Sequence, residues 1–304
     1  MIRTALLAAT ALVLATSVQA AAPKPAPPAA PAAPPEPGAP AAAPALPPAP
    51  GEPSAADWRT PDPENVMVID TNKGRIIVEL TPDLAPNHVA RYKELTRAGL
   101  YDNRTFFRVI DQFMAQTGDP KDTGEGGSDK PDLQAEFTFR RGAQTAFVPV
   151  ADQTVAEVGF IGPMPVMTQS SMLMAMTADN KISGWALYCP GVAGAARAEA
   201  PDSANSQFFL MRQAYPSLEK RYTAFGRVLS GQDVVRAIKV GEPVVDPDKM
   251  LKVQLLADMP AATRPKVRVI DPKSPWFKAE IASVRARMGA DFTACAIRVP
   301  SEVK

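Results

Sequence analysis

Between Val66 and Leu80 the chain alternates apolar and polar positions in two runs, VMVID and RIIVEL, separated by TNKG. A period of two is the mark of strands, and Asn72, Lys73 and Gly74 are turn formers. The segment therefore predicts a β-hairpin with Val66, Val68 and Asp70 on one face. The period then lengthens. APNHVARYKELTRAGL places Val89, Tyr92 and Leu95 on one helical face, with Pro86 near the start and Gly99 past the end. Residues 105–116 form an apolar, aromatic run that predicts a strand, and GDPKDTGEGGSDKPD after it predicts a loop, with Gly124, Gly126 and Gly127 as turn formers. That loop lacks the lysine-serine ending and following helix of a phosphate-binding loop.

Further strands are expected at SQFFLMR and YTAFGRVL, and a short helix at GQDVVRAIKVG. Several strands with two interior helices predict a mainly β fold, an antiparallel barrel closed by helices. Two regions fit less easily. The interval 140–193 carries Met164, Met167, Met172, Met174 and Met176, which suit either a core or an adaptable apolar surface. The tail after Asp246 holds strand-like KVQLL and KVRVI, then SPWFKAEIASVRARMG. There Ser274 caps a helix, Pro275 opens it, Phe277, Ile281, Val284 and Met288 share a face, and Gly289 ends it. Such a helix packs on its own chain or binds a partner.

Composition adds what precedes the fold. Residues 1–20 carry Arg3, an apolar stretch and Val18-Gln19-Ala20, the pattern of a secretory signal peptide cleaved after Ala20. No cysteine follows that site, and the apolar stretch is short and alanine-rich against the roughly 20 strongly apolar residues that spanning needs. A soluble periplasmic or secreted protein without stable membrane insertion is expected. Residues 21–63 are assigned to an alanine- and proline-rich linker, because proline lacks an amide donor and alanine buries little. Residues 64–245 are assigned to the folded domain and 246–304 to a C-terminal extension.

Losing the signal takes 33 basic residues to 32, against 32 acidic ones, so no electrostatic footprint for nucleic acid remains. One histidine, His88, and two cysteines, Cys189 and Cys295, argue against a zinc site or a histidine-based triad. His88 is expected as a surface or packing residue. The cysteines, 106 positions apart in sequence, are left as one disulfide or two buried thiols.

An arginine inside the apolar run, in TFFRVIDQFMAQTGD, acquires meaning together with SANSQFFLMR and YTAFGRV. These motifs resemble the cyclophilins, peptidyl-prolyl cis-trans isomerases built on a closed eight-stranded antiparallel barrel capped by two helices. The family pattern of arginine followed by Phe-Met-x-Gln is met by Arg108, Phe113, Met114 and Gln116. Ala196, Arg197, Gln207, Phe208 and Phe209 follow in the matching order, then Leu218 and Tyr222. Glu136-Phe137 and the glycine loop before them match bacterial members. The resemblance runs from about Val66 to about Gly241, interrupted by the long interval after Phe137.

The resemblance implies that Arg108 is catalytic and that Gln116 orients it. Phe113, Met114, Phe209 and Leu218 would receive the proline ring, Ala196, Arg197 and Gln207 would hold the extended chain, and Tyr222 would edge the pocket. No cofactor or metal is needed for this chemistry, and the partners would be proline-containing segments of unfolded or exported proteins. A non-catalytic proline-binding chaperone or scaffold of the cell envelope is the alternative. The sequence departs from the common family pattern at Phe107, Arg197, Ser217 and Tyr222. Ser217 stands where eukaryotic members carry tryptophan, so weak binding of the family inhibitor cyclosporin is expected.

Overall fold

The computed structural model describes residues 49–152 and 155–304. The expected signal segment and residues 21–48 of the expected linker lie outside the described residues. Among the described residues no helix is long and apolar enough to cross a membrane.

Trp58–Arg59 forms β1, and the predicted hairpin follows as β2 (Val66–Thr71) and β3 (Gly74–Leu80). Thr71 pairs with Gly74, leaving Asn72 and Lys73 as the turn. The Thr71 hydroxyl donates to the Gly74 carbonyl at 2.7 Å and accepts the Lys73 amide at 3.0 Å. Helix α1 (Pro86–Arg97) begins on proline, where a missing amide hydrogen costs nothing, and buries Val89, Tyr92 and Leu95 as the spacing predicts. His88 is also buried, with Nδ1 2.7 Å from the Glu136 carboxylate. Burial pushes the Glu136 pKa up, but the hydrogen bonds from His88 and the amides of His88 and Asn87 outweigh it and hold the carboxyl below its usual range.

Strands β4 (Arg104–Thr105), β5 (Arg108–Ile110) and β6 (Met114–Thr117) come from the apolar run. The single strand expected over 105–116 is thus a hairpin. Gln112 adopts φ of 45°, and the Phe113 amide bonds back to the Ile110 carbonyl at 3.2 Å, so the chain reverses.

The interval after Phe137 builds β7 (Phe139–Arg141), β8 (Phe147–Asp152), β9 (Ala156–Ile161), β10 (Met164–Gln169) and β11 (Ile182–Ala186). They form a five-stranded antiparallel sheet in the order β7-β11-β10-β9-β8. The methionines divide: Met164 is fully buried, whereas Met172 and Met176 stand exposed on the turn before β11. The chain continues through β12 (Val192–Ala195), β13 (Phe208–Met211), β14 (Ala224–Ser230), helix α2 (Gln232–Ala237) and β15 (Lys249–Leu255). It closes with β16 (Val267–Ile270), helix α3 (Pro275–Met288) and β17 (Ser301–Val303).

The principal sheet has nine strands in the order β4-β15-β2-β3-β14-β12-β13-β6-β5, so the expected closed eight-stranded barrel is not what forms. It is a curled antiparallel sheet. Its two edge strands, β4 and β5, are separated in sequence only by the buried Phe106 and Phe107, which brings the edges round toward each other. Among the described residues no ladder joins them. Strand β15, expected in the C-terminal extension, joins this sheet by pairing with β2 and β4. The extension therefore starts after β15.

Inside the curl, Ile69, Ile76, Tyr92, Phe208, Phe225 and Leu255 form one core. Alternate residues of the same strands face a different one. Met114, Phe209 and Met211 belong to a second cluster that also holds Phe160, Tyr188 and Phe277. Val66, Val68 and Ile77 form a third core with Leu256, Met259 and Val267. Hence β2 reads as a continuous apolar run, since both its faces are buried.

The stretch just before β1 also departs from expectation. Residues 54–59, assigned to the linker, fold onto the extension. β1 pairs with β16, the Asp57 carboxylate accepts the Ser54 and Trp276 amides, and Arg59 forms a bidentate pair with the buried Glu79 at 2.7 and 2.8 Å. Helix α3 has the Ser274 cap and the buried Phe277, Ile281 and Val284 that its spacing predicts, with Met288 half-buried. It packs on its own chain. Cys189 and Cys295 are joined as a disulfide, tying the approach to β12 to the extension.

Candidate active site

The β5–β6 hairpin sets Arg108 directly opposite Gln116, and the β6–β13 ladder sets Gln116 opposite Phe209. Arg108 Nη1 donates to Gln116 Oε1 at 3.2 Å, and Gln116 Nε2 donates to Gln207 Oε1 at 2.9 Å. Gln207 Nε2 in turn donates to the carbonyls of Gly124 and Gly126 at 3.0 and 2.7 Å. A single polar chain thus runs from the guanidinium to the glycine loop. Each amide is used in the one orientation that satisfies both neighbours.

The loop end is fixed by Asp119. Its carboxylate accepts the amides of Lys121, Thr123, Gly124 and Gly126 at 2.6–3.1 Å and the Thr123 hydroxyl at 3.0 Å. Burial pushes the Asp119 pKa up, but these four amides outweigh it and hold the carboxyl below its usual range. A side chain at Gly126 would collide with the carboxylate, its Cβ falling 1.8 Å from Oδ1, so glycine is required there. Asp119 opens a glycine-rich loop in the manner of an Asx turn, a signal present in the sequence but not assigned a role.

Gln116, Gly124, Ala196, Arg197, Asn205 and Gln207 line a cleft of about 440 Å³. The Asn205 side-chain carbonyl accepts the Ser128 amide at 2.8 Å, which holds the far wall. Ala196 donates its amide to the Gln207 carbonyl at 3.0 Å. The Arg197 guanidinium donates to the carbonyls of Ala198, Glu199 and Arg221 and lies 4.6 Å over the Tyr222 ring.

Beside the polar chain lies an apolar floor. Met114, Phe209 and Leu218 are buried, Phe113 is half-buried against Tyr215 at 4.4 Å between centroids, and Tyr222 meets Phe209 edge-on at 6.0 Å. Of the residues expected at the site, Gln116, Ala196, Arg197 and Gln207 line the cleft, Arg108 is bonded to Gln116, and Phe113, Met114, Phe209, Leu218 and Tyr222 share one apolar cluster. Sequence reasoning missed Asp119, Asn205 and Glu242. Glu242 accepts from Arg108 Nε and carries no local motif that marks it.

This constellation coincides with the span matched by the family model for cyclophilin type peptidyl-prolyl cis-trans isomerases, residues 66–256. The chain belongs to the cyclophilin family. A protein of Brucella suis biovar 1 named "Probable peptidyl-prolyl cis-trans isomerase" is 36% identical over 213 residues, covering 65% of this chain and 85% of its own. A homologue of the same name from Brucella melitensis gives the same figures. Among solved structures, cyclophilin AquaCyp293 from Hirschia baltica superposes with a TM-score of 0.75 at 35% identity, covering 81% of this chain and 93% of that one. That coverage exceeds the 66–256 span, so cyclophilin AquaCyp293 shares structure with this cyclophilin beyond the family domain. Membership carries peptidyl-prolyl cis-trans isomerase activity with it.

Proposed function

We propose that this cyclophilin isomerises X-Pro bonds at the strip between Arg108 and Leu218, and that it acts on exported proteins in the periplasm after its signal peptide is removed. The observation that carries the site assignment is the Arg108 guanidinium, oriented by Gln116 and standing beside the apolar Phe113, Met114 and Phe209.

The chemistry follows from the bond itself. Amide resonance imposes a barrier of about 18–20 kcal/mol, although the two X-Pro isomers differ by only about 1 kcal/mol. The task is to weaken resonance in the twisted state. The proline ring seats at the half-buried Phe113 and Tyr222, with Met114, Phe209 and Leu218 packed beneath them, so that water is excluded. Arg108 donates to the prolyl carbonyl oxygen and toward the nitrogen as its lone pair localises, favouring the twisted geometry over either planar one. Gln116 restrains the guanidinium so that little reorganisation is needed at the moment of rotation. The main chain of Ala196 and Arg197 and the Gln207 amide hold the flanking peptide extended along the cleft. No covalent intermediate forms.

A holding role beside turnover is supported by Met172 and Met176, 85% and 81% exposed on the turn before β11, which offer adaptable apolar surface to unfolded segments. The deciding test compares kcat/KM on a short X-Pro peptide for the mature protein and Arg108→Ala. A loss of about 100-fold with an unchanged circular dichroism spectrum is expected. Equal turnover in the folded variant refutes the assignment.

A further inference from the structure

The segment after α2 runs back along β5. The Val109 amide donates to the Gly241 carbonyl at 2.8 Å and the Gly241 amide returns to Val109 at 2.9 Å, while the Val244 amide reaches Phe107 at 2.9 Å. Glu242 is therefore held opposite Arg108 between two anchoring points. Its carboxylate accepts from Arg108 Nε, and among the described residues Arg108 is its one ion-pair partner. With Nε taken by Glu242 and Nη1 by Gln116, Nη2 is the terminal nitrogen that makes no hydrogen bond among the described residues.

We infer that Glu242 is a positioning residue for Arg108 and a charge filter that favours X-Pro segments in which X is basic or uncharged over those in which X is acidic. This rests on the reading of Arg108 given above. Two contacts on different nitrogens fix both the position and the plane of a guanidinium, which one contact does not. The carboxylate also cancels the charge that would otherwise draw acidic segments in. A charge on X that comes within a Debye length of Glu242, about 8–10 Å, is not screened away. Glu242 is 56% exposed, which leaves it able to meet that side chain.

The test uses the mature chain, its Glu242→Ala and Glu242→Gln variants, and three peptides that differ only in X, as glutamate, alanine or lysine. Glu242→Ala should lower kcat on the alanine peptide about tenfold with little change in KM. Glu242→Gln should recover most of that loss, because its amide oxygen accepts the same bond. In both variants the ratio of glutamate to lysine turnover should rise about fivefold, the scale of one exposed charge pair. Wild-type rates with an unaltered ratio overturn the inference. So does an equal loss in both variants with the ratio unmoved, since a purely structural residue would behave that way. A wild type that turns over none of the peptides overturns the reading of the site, and this inference with it.

Discussion

The Tyr92 hydroxyl on α1 donates to the main-chain carbonyl of Gln207 at 3.1 Å, joining the centre of the helix to a residue that lines the candidate cleft. Tyr101 does the same for the neighbouring Ser206 carbonyl at 3.0 Å. Both rings are fully buried, and burial pushes both phenols above their usual range, so they remain donors at every working pH. Core packing and site geometry are thereby one structure. Tyr92→Phe removes one of two donors to the Gln207 carbonyl, the Ala196 amide remaining, and should cost about 0.5–1.5 kcal/mol in urea unfolding. It should also lower kcat/KM modestly, because Gln207 loses one of its main-chain anchors. An unaltered midpoint together with unaltered turnover would refute this coupling.

Asp119 gives a pH dependence with a definite sign. Its pKa is lower folded than unfolded, so its contribution is fully present above the unfolded value, near 4, and is lost as pH falls through the folded value. Stability should fall below about pH 4 and be flat in this respect near neutrality. Asp119→Asn should cost about 2 kcal/mol at pH 7 and shrink the acid-side slope, read by urea melts at pH 7, 4 and 3.

The Cys189–Cys295 bridge closes a loop spanning 106 positions. Chain-entropy reasoning gives about 5 kcal/mol for a loop of that size. The Cys189→Ser, Cys295→Ser double variant should therefore melt about 10 °C lower than the oxidised protein. Addition of reductant should lower the wild type alone. Coincident melting curves for the two proteins would show that the extension is held without the bridge.

Ser217 is exposed on the short turn Pro216–Leu218, next to the buried Leu218 of the apolar floor. A tryptophan there would add a broad apolar face and an N–H donor at the rim. Cyclosporin should accordingly bind the wild type about 2–4 kcal/mol more weakly than Ser217→Trp, from lost burial and one lost hydrogen bond. That corresponds to roughly 30- to 1000-fold in Kd. Nanomolar inhibition of the wild type, measured by titration against peptide turnover, would refute it.

Local order was legible wherever a short-range rule decides it. The β2–β3 hairpin follows from period-two patterning and the Asn72–Lys73 turn, and α1 and α3 follow from Pro86, Pro275, the Ser274 cap and their apolar spacing. The motifs that carry the ten expected site residues were legible through their order. The β5–β6 reversal was not, because Gln112 is an ordinary residue at a positive φ, and apolar content runs unbroken across it. Nor was the strand count, since β15 joins the sheet through pairing with β2, almost two hundred positions away.

The sequence by itself determined the mainly β character, the helix positions, the family motifs and the presence of Arg108, because these depend on neighbours a few residues apart. Tertiary structure alone decided who touches whom. Arg108 and Gln116, eight positions apart, would stand about 26 Å apart in one extended strand. The turn at Gln112 brings their side chains within 3.2 Å. Glu242 reaches the same guanidinium from 134 positions away, and Met114 and Phe209 share one buried cluster because β6 pairs with β13. Contacts of that range are fixed by global packing and register, to which no local pattern is sensitive.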